Sequence, residues 1–224
     1  METENRDAET GWHTLDTQTA AARQGVSPGQ GLRAAEVERR LRQWGENRLD
    51  EATPRPLWLK FVDQFRNFLV IVLLFAAGLA WMVGDLKDAV VILVVVVMNA
   101  ALGFYQEHRA EQTLAALRGM LAAQARVRRD GRVGDLDAAQ LVPGDIVLLE
   151  AGDRVPADGR LLAAHALEAD EAALTGESQA VGKSVAPLEA EDLPLGDRIN
   201  LLYMNTVVTR GRAELLVTAT GMAT

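Results

Sequence analysis

The sequence predicts an α+β membrane protein: amphipathic N-terminal helices, a two-helix transmembrane hairpin with a stalk, and then a small all-β domain. Three observations predict this. Residues 67–84 ("NFLVIVLLFAAGLAWMVG") and 89–106 ("AVVILVVVVMNAALGFYQ") carry no charge and are separated by only four residues. No proline follows the second run until the chain has passed through "EHRAEQTLAALRGMLAAQ", so its helix is expected to continue. From about Gln124 onward, short apolar stretches alternate with Gly- and Pro-containing turns, the pattern of strands.

Each uncharged run of about 18 residues spans roughly 27 Å as a helix, close to the hydrocarbon thickness of a bilayer. The connection over residues 85–88 is short enough to demand a tight hairpin, which places both outer ends on one side of the membrane. Arg55, Lys60 and Arg66 precede the first run, and His108, Arg109 and Arg118 follow the second, while the connection holds Lys87 as its one basic residue, beside Asp85 and Asp88. Positive charge is retained on the cytoplasmic side, so both ends of the chain are expected there. Trp81 and Tyr105 fall where amphipathic rings suit the interface. A pair of buried helices in a soluble domain is the competing reading.

The divisions that follow are 1–10, polar and disordered; 11–56, N-terminal cytoplasmic helices; 57–66, an interfacial helix; 67–84, a transmembrane helix; 85–88, a short non-cytoplasmic loop; 89–106, a second transmembrane helix; 107–123, a stalk; and 124–224, the β domain. A short helix is expected around "HTLDTQTAAARQGV", stopped by Gly25. "GLRAAEVERRLRQWG" reads as an amphipathic helix with Leu32, Val37, Leu41 and Trp44 on one face and Gly45 as its left-handed cap. "EATPRP" breaks the pattern, and Pro56 opens the next helix. There Leu57, Trp58, Phe61, Phe65 and Phe68 gather on one side, suited to an interface. In the β domain, hairpins are expected at Asp130-Gly131 and at Arg210-Gly211, with Gly144, Gly152 and Gly159 as turn formers.

The formal net charge of −8, with basic residues scattered, excludes a general nucleic-acid binder. The absence of cysteine excludes disulfides and thiolate metal sites. His13, His108 and His165 show no metal-ligand spacing. Asn99, inside the second apolar run, is expected to hydrogen-bond between helices. Asp170 and Glu171 resemble an acid–base pair only on paper, since adjacent strand residues face opposite ways. One is expected to be solvated and the other to cap the next turn. Lys183 is expected to be a solvated lysine.

The stretch with chemical content is "DEAALTGESQAVGK". Gly176 lets the loop approach another surface closely, Glu177 can act as a general base on a water, and the Thr175 hydroxyl can orient that water or an oxyanion. With no nucleophile adjacent in sequence, this is half a site.

The order of these parts resembles the N-terminal region of a P-type ATPase from about Gly11 to Thr224. "WGENRLDE", "LVPGDIV", "AGDRVPADGRLL", "ADEAALTGES" and "VTRGRAELLVTATGMAT" carry the resemblance together. It implies that residues 124–224 form the family's actuator domain, a distorted jelly roll, and that Thr175, Gly176, Glu177 and Ser178 are its catalytic loop. Glu177 would position the water that hydrolyses an aspartyl phosphate carried by another domain, Thr175 would assist by hydrogen bonding, and Gly176 would permit approach. The resemblance further implies ATP and magnesium as cofactors of the full-length pump, none bound by this chain. The implied partners are the bilayer, the phosphorylation and nucleotide-binding domains, and a transported cation. The leader looks like that of calcium-pump-like type II enzymes, which makes calcium or a related cation the expected ion and protons or sodium the alternative. Ala180 stands where the family often has proline, and Asn205 where glycine is frequent. No "DKTG" phosphorylation motif is present, so the chain is expected to be a fragment of a longer pump, inactive alone. A membrane-anchored adaptor without enzymatic activity is the alternative from a different class.

Overall fold

The computed structural model describes residues 11–49, 56–120, 123–190 and 192–224. The expected disorder of 1–10 and the break at 51–55 lie outside the described residues. The chain divides into two compact units, 1–50 with 122–224, and 51–121.

The first unit is organised by antiparallel pairing. Its strands are β1 (Gln124–Arg129), β2 (Arg132–Asp137), β3 (Ile146–Glu150), β4 (Asp158–Asp170), β5 (Val181–Gly182), β6 (Leu201–Leu202) and β7 (Val207–Ala219). They form one seven-stranded sheet in the order β2-β1-β3-β7-β4-β5, with β6 also paired to β4. The β1–β2 hairpin turns at Asp130 and Gly131, both at positive φ, as the dipeptide predicts.

Strand alternation sends side chains to two cores. Val147, Leu149, Leu215 and Val217 join Leu161, Leu167, Leu202 and Val208 on one side. Their strand neighbours Ile146 and Leu216 face the other way and pack under α1 (Thr17–Arg23) and α2 (Ala34–Trp44), against Ala20, Ala21, Val26 and Val37. Each fully buried Leu, Ile or Val contributes about 1.5–3 kcal/mol of transfer free energy. The N-terminal helices thus share a core with strands that follow them by more than a hundred residues.

Local signals set the helix ends. Asp16 caps α1 by accepting from the Gln18 and Thr19 amides, and Gly25 at positive φ ends the turn beyond it. Helix α2 ends at Gly45, whose φ is positive but whose ψ is extended rather than left-handed helical. The expected apolar face is corrected at both ends. Leu32 precedes α2 and bridges to Arg129, and Trp44 is exposed.

Three further expectations are corrected. Arg210-Gly211 is no hairpin: β7 runs straight through it against β4. Gly211 takes φ +82 at a bulge, where a Cβ would lie 2.3 Å from the His165 carbonyl oxygen and 2.4 Å from that of Ala166. The requirement for glycine is real, but it arises from close backbone approach within a sheet. Gly159, expected in a turn, sits inside β4, where Leu215 and the Leu216 carbonyl occupy the space of a side chain. Asn99 lies exposed on its helix, with no interhelical hydrogen bond among the described residues.

Buried polar side chains fasten the irregular segments. Arg160 is fully buried on β4 and donates to the backbone carbonyls of Trp12, Leu15, Leu161, Val185 and Asn200. Burial pulls its guanidinium down to about 10, so it stays charged at neutral pH. Asn200 donates to His13 and Ala186. Asn47 donates to Ala138 and Pro156 and accepts from the Gly221 amide. Asp145 takes a two-bonded guanidinium from Arg129 and the Val142 amide.

The second unit comprises α3 (Leu57–Asp63), α4 (Phe68–Val83) and α5 (Leu86–Met120). Asn67 caps α4 by accepting from the Leu69 amide, and Gly84 ends it in the left-handed conformation before α5. Val70 and Ala77 of α4, and Ala89, Val96 and Ala100 of α5, are buried, the small residues allowing close helix approach. On α3, the Phe61 ring meets Phe65 and Phe104 edge-on, and just beyond the helix Gln64 donates to Glu107 at 2.7 Å. Phe68, Phe75, Trp81, Val83 and Met98 are all more than 65% exposed. Residues 86–114 form the helix long and apolar enough to cross a membrane; α4, with 16 residues, is shorter.

Two measurements follow. Replacing Arg160 by Met strands several desolvated carbonyls at once and is expected to lower stability by about 3 kcal/mol or more in urea unfolding followed at Trp12. Hydrogen bonds from Arg39 and Arg40 hold the Glu36 carboxyl down to about 2, against an ordinary 4.5. Its contribution is therefore complete above pH 4.5 and disappears as pH falls through about 2. The difference in melting temperature between the parent and Glu36→Gln is expected to be constant from pH 7 to 5 and to shrink below that.

Candidate functional site

The loop singled out by sequence begins at the end of β4. Asp170 is exposed, and its Oδ1 accepts from the Ala172 amide at 2.9 Å, starting the single turn α6 (Ala172–Thr175). The Glu171 carbonyl oxygen accepts from the Leu174 and Thr175 amides at 2.9 and 3.0 Å and from Thr175 Oγ1 at 3.2 Å. Gly176 closes the turn at φ +77, with its amide on the Ala172 carbonyl. The Glu177 amide donates to Thr175 Oγ1 at 3.2 Å. Beyond this bond the loop is free: Gly176, Glu177, Ser178, Gln179 and Ala180 are all exposed, and nothing lies within 4 Å of a Cβ placed on Gly176.

Thr175, Gly176, Glu177 and Ser178 therefore stand at one protruding tip, with the Glu177 carboxylate open to solvent. The single hydroxyl proton of Thr175 is engaged by the Glu171 carbonyl, so what the side chain offers outward is a lone pair. Its methyl group packs against the turn at residues 195–197, where a Cβ on Gly196 would lie 3.1 Å away.

The residues that sequence reasoning misread lie directly beneath the tip. Of Asp170 and Glu171, one is expected to be solvated and the other to cap the turn; Asp170 does both, while Glu171 and the Lys183 expected to be solvated are buried. Their side chains are 1% and 0% exposed, and Lys183 Nζ lies 2.5 Å from Glu171 Oε1. The ammonium also lies 6.0 Å from the Tyr203 ring centroid, within cation–π range. Burial pushes the Glu171 carboxyl up and the Lys183 ammonium down, each opposed by the other's charge. Removing one member of such a pair leaves a buried charge unmatched, at a cost of about 3–5 kcal/mol. The signal was present in the alternation of β4. Leu167 and Ala169 are buried, so Glu171 shares their face. Lys183 pairs with that same strand through its amide on the Leu167 carbonyl.

Chemically, the tip can present a carboxylate to a water or cation on another body. Among the described residues, no three His, Asp or Glu side chains converge to hold a metal ion. Lys183, the basic residue that follows the loop, is buried against Glu171 and so offers the tip no exposed positive charge for a phosphate.

Residues 119–224 match the family model described as P-type ATPase actuator domain, and residues 12–80 match cation transporter/ATPase, N-terminus. Among curated proteins, a calcium-transporting ATPase of Bacillus subtilis is 43% identical over 199 residues, covering 89% of this chain and 22% of the relative. A sodium/potassium exporting P-type ATPase of Schizosaccharomyces pombe is 42% identical over 196 residues, covering 87% of this chain and 19% of the relative. A probable cation-transporting ATPase F of Mycobacterium tuberculosis is 43% identical over 197 residues, 88% of this chain and 22% of the relative. The chain thus spans about a fifth of the length of the relatives it matches.

Because Gly176 is left-handed but unobstructed, Gly176→Ala is expected to cost about 1–2 kcal/mol of purely conformational origin, and Gly176→Asn less. Faster amide exchange at Thr175 and Gly176, graded Ala over Asn over the parent, checks this.

Proposed function

The chain belongs to the P-type cation-transporting ATPases, and on that footing we propose that it is the N-terminal part of an ATP-driven cation pump whose dephosphorylation step uses Glu177. The exposed tip at residues 175–178 is carried to an aspartyl phosphate held by a separate domain of the full-length pump. There the Glu177 carboxylate orients a water and takes its proton. The water oxygen bonds to phosphorus, the bond from phosphorus to the aspartate oxygen breaks, and the aspartate leaves as carboxylate while inorganic phosphate departs. Gly176 removes the side chain that would hold the two backbones apart, and Ser178 continues the surface that meets the phosphorylated domain. ATP and magnesium act at the other domains.

The observation that carries this reading is the exposure of Glu177 on a loop anchored from inside. The bulged 13-residue strands β4 and β7 are consistent with the distorted jelly roll of an actuator domain.

In the same reading α4 and α5 are the first two membrane spans, with both outer ends cytoplasmic. The apolar side chains that α4 and α5 expose suit lipid, and Lys60, Arg66, Arg109 and Arg118 beyond the outer ends follow the positive-inside rule. A span as short as α4 is accommodated by local thinning of the bilayer. The transported ion is calcium or a related monovalent or divalent cation, since relatives of near-equal similarity are named for calcium and for sodium/potassium.

The test is Glu177→Gln in the full-length pump. Phosphoenzyme is expected to form from ATP as in the parent and to decay about a hundredfold more slowly. Parent-like decay removes the role given to Glu177.

A further inference from the structure

We infer that the buried Glu171–Lys183 ion pair is a positioning element for dephosphorylation, setting the place of Glu177 from beneath the loop; this rests on the role proposed for Glu177 above. The geometry forms a continuous path. Lys183 is held by its amide on the Leu167 carbonyl, and its neighbour Ser184 by an amide on the Ile199 carbonyl. Its ammonium meets Glu171 Oε1 at 2.5 Å. The backbone oxygen of Glu171 collects the Leu174 amide, the Thr175 amide and the Thr175 hydroxyl, and that hydroxyl holds the Glu177 amide. From the Lys183 ammonium to the Glu177 backbone the path runs through an ion pair, the covalent frame of Glu171 and two hydrogen bonds.

The pair also closes the loop. Glu171 stands at its start and Lys183 just after its end, so the exposed residues between them are tied at both ends to one buried contact. Among the described residues, neither the carboxylate nor the ammonium has another hydrogen-bonding partner. The buried pair is directional and charge-matched, whereas two apolar side chains filling the same space would specify the position of the turn less closely. Small displacements matter here, because a water must be placed within hydrogen-bond reach of Glu177 and in line with the bond that breaks.

The experiment uses the full-length pump in four forms: parent, Glu177→Gln, Lys183→Met, and Glu171→Leu/Lys183→Met. Phosphoenzyme is formed with labelled ATP, and its decay is followed after a chase of unlabelled ATP, alongside thermal unfolding. Lys183→Met is expected to reach the parental phosphoenzyme level and to decay about tenfold or more slowly. The double variant leaves no unmatched buried charge. It is expected to recover the parental melting temperature while keeping slow decay, a split that a purely structural role would not produce. Should Lys183→Met fail to fold, the double variant decides alone. Parental decay in the double variant overturns the inference while leaving Glu177 in place. Parental decay in Glu177→Gln overturns the proposed function, and the inference with it.

Discussion

The sheet unit depends on the burial of one guanidinium among backbone carbonyls. Segments without regular pairing, at residues 12–15, 185 and 200, meet over β4, and each brings carbonyl oxygens out of water. Left unpaired, such groups each cost about 1–3 kcal/mol. Arg160 answers them from a single side chain whose donors lie in one rigid plane, and charge strengthens each bond. Asn200 and Asn47 repeat the device at neighbouring places, joining His13 to Ala186 and the exit of α2 to Gly221. The apolar cores hold the sheet to the helices, whereas these polar side chains decide how the loops are threaded between them.

That division shapes the candidate site. Everything below the tip is specified: the turn α6, the Thr175 hydroxyl, the ion pair of Glu171 and Lys183, and the packing of residues 195–197 against Thr175. Everything beyond it is open. In the proposed role, where the loop meets a surface on another body, this arrangement is an advantage, because the loop would arrive already ordered and with no contacts to break first.

The sequence was legible where physics is local. Helix α1 with its stop at Gly25, the Asp130-Gly131 hairpin and the positive φ of Asn205 each follow from a few adjacent residues. The exposed glutamate on a glycine loop was equally readable. What escaped depended on partners distant in sequence. Gly211 announces an unusual backbone but not its cause, because the obstructing carbonyls belong to residues 165 and 166 on a strand already laid down. Lys183 reads as solvated because lysine usually is, and its carboxylate becomes visible only when the two-residue period of β4 is carried through to Glu171. Asn47 and Arg160 gave no warning, since nothing in a run of letters marks which carbonyls lack a ladder.

The sheet unit is assembled from two stretches of chain with α3, α4 and α5 made between them. Synthesis proceeds from the N-terminus at about 5–20 residues per second. The carbonyls of Trp12 and Leu15 are therefore made long before Arg160, which stands 148 and 145 positions downstream. For something like ten seconds or more, α1 and α2 have no apolar floor to settle on, while the ribosome is producing some of the most water-averse stretches of the protein. Completion of this half has to wait for the last strands to appear, so its maturation comes late even though its first helices are born first.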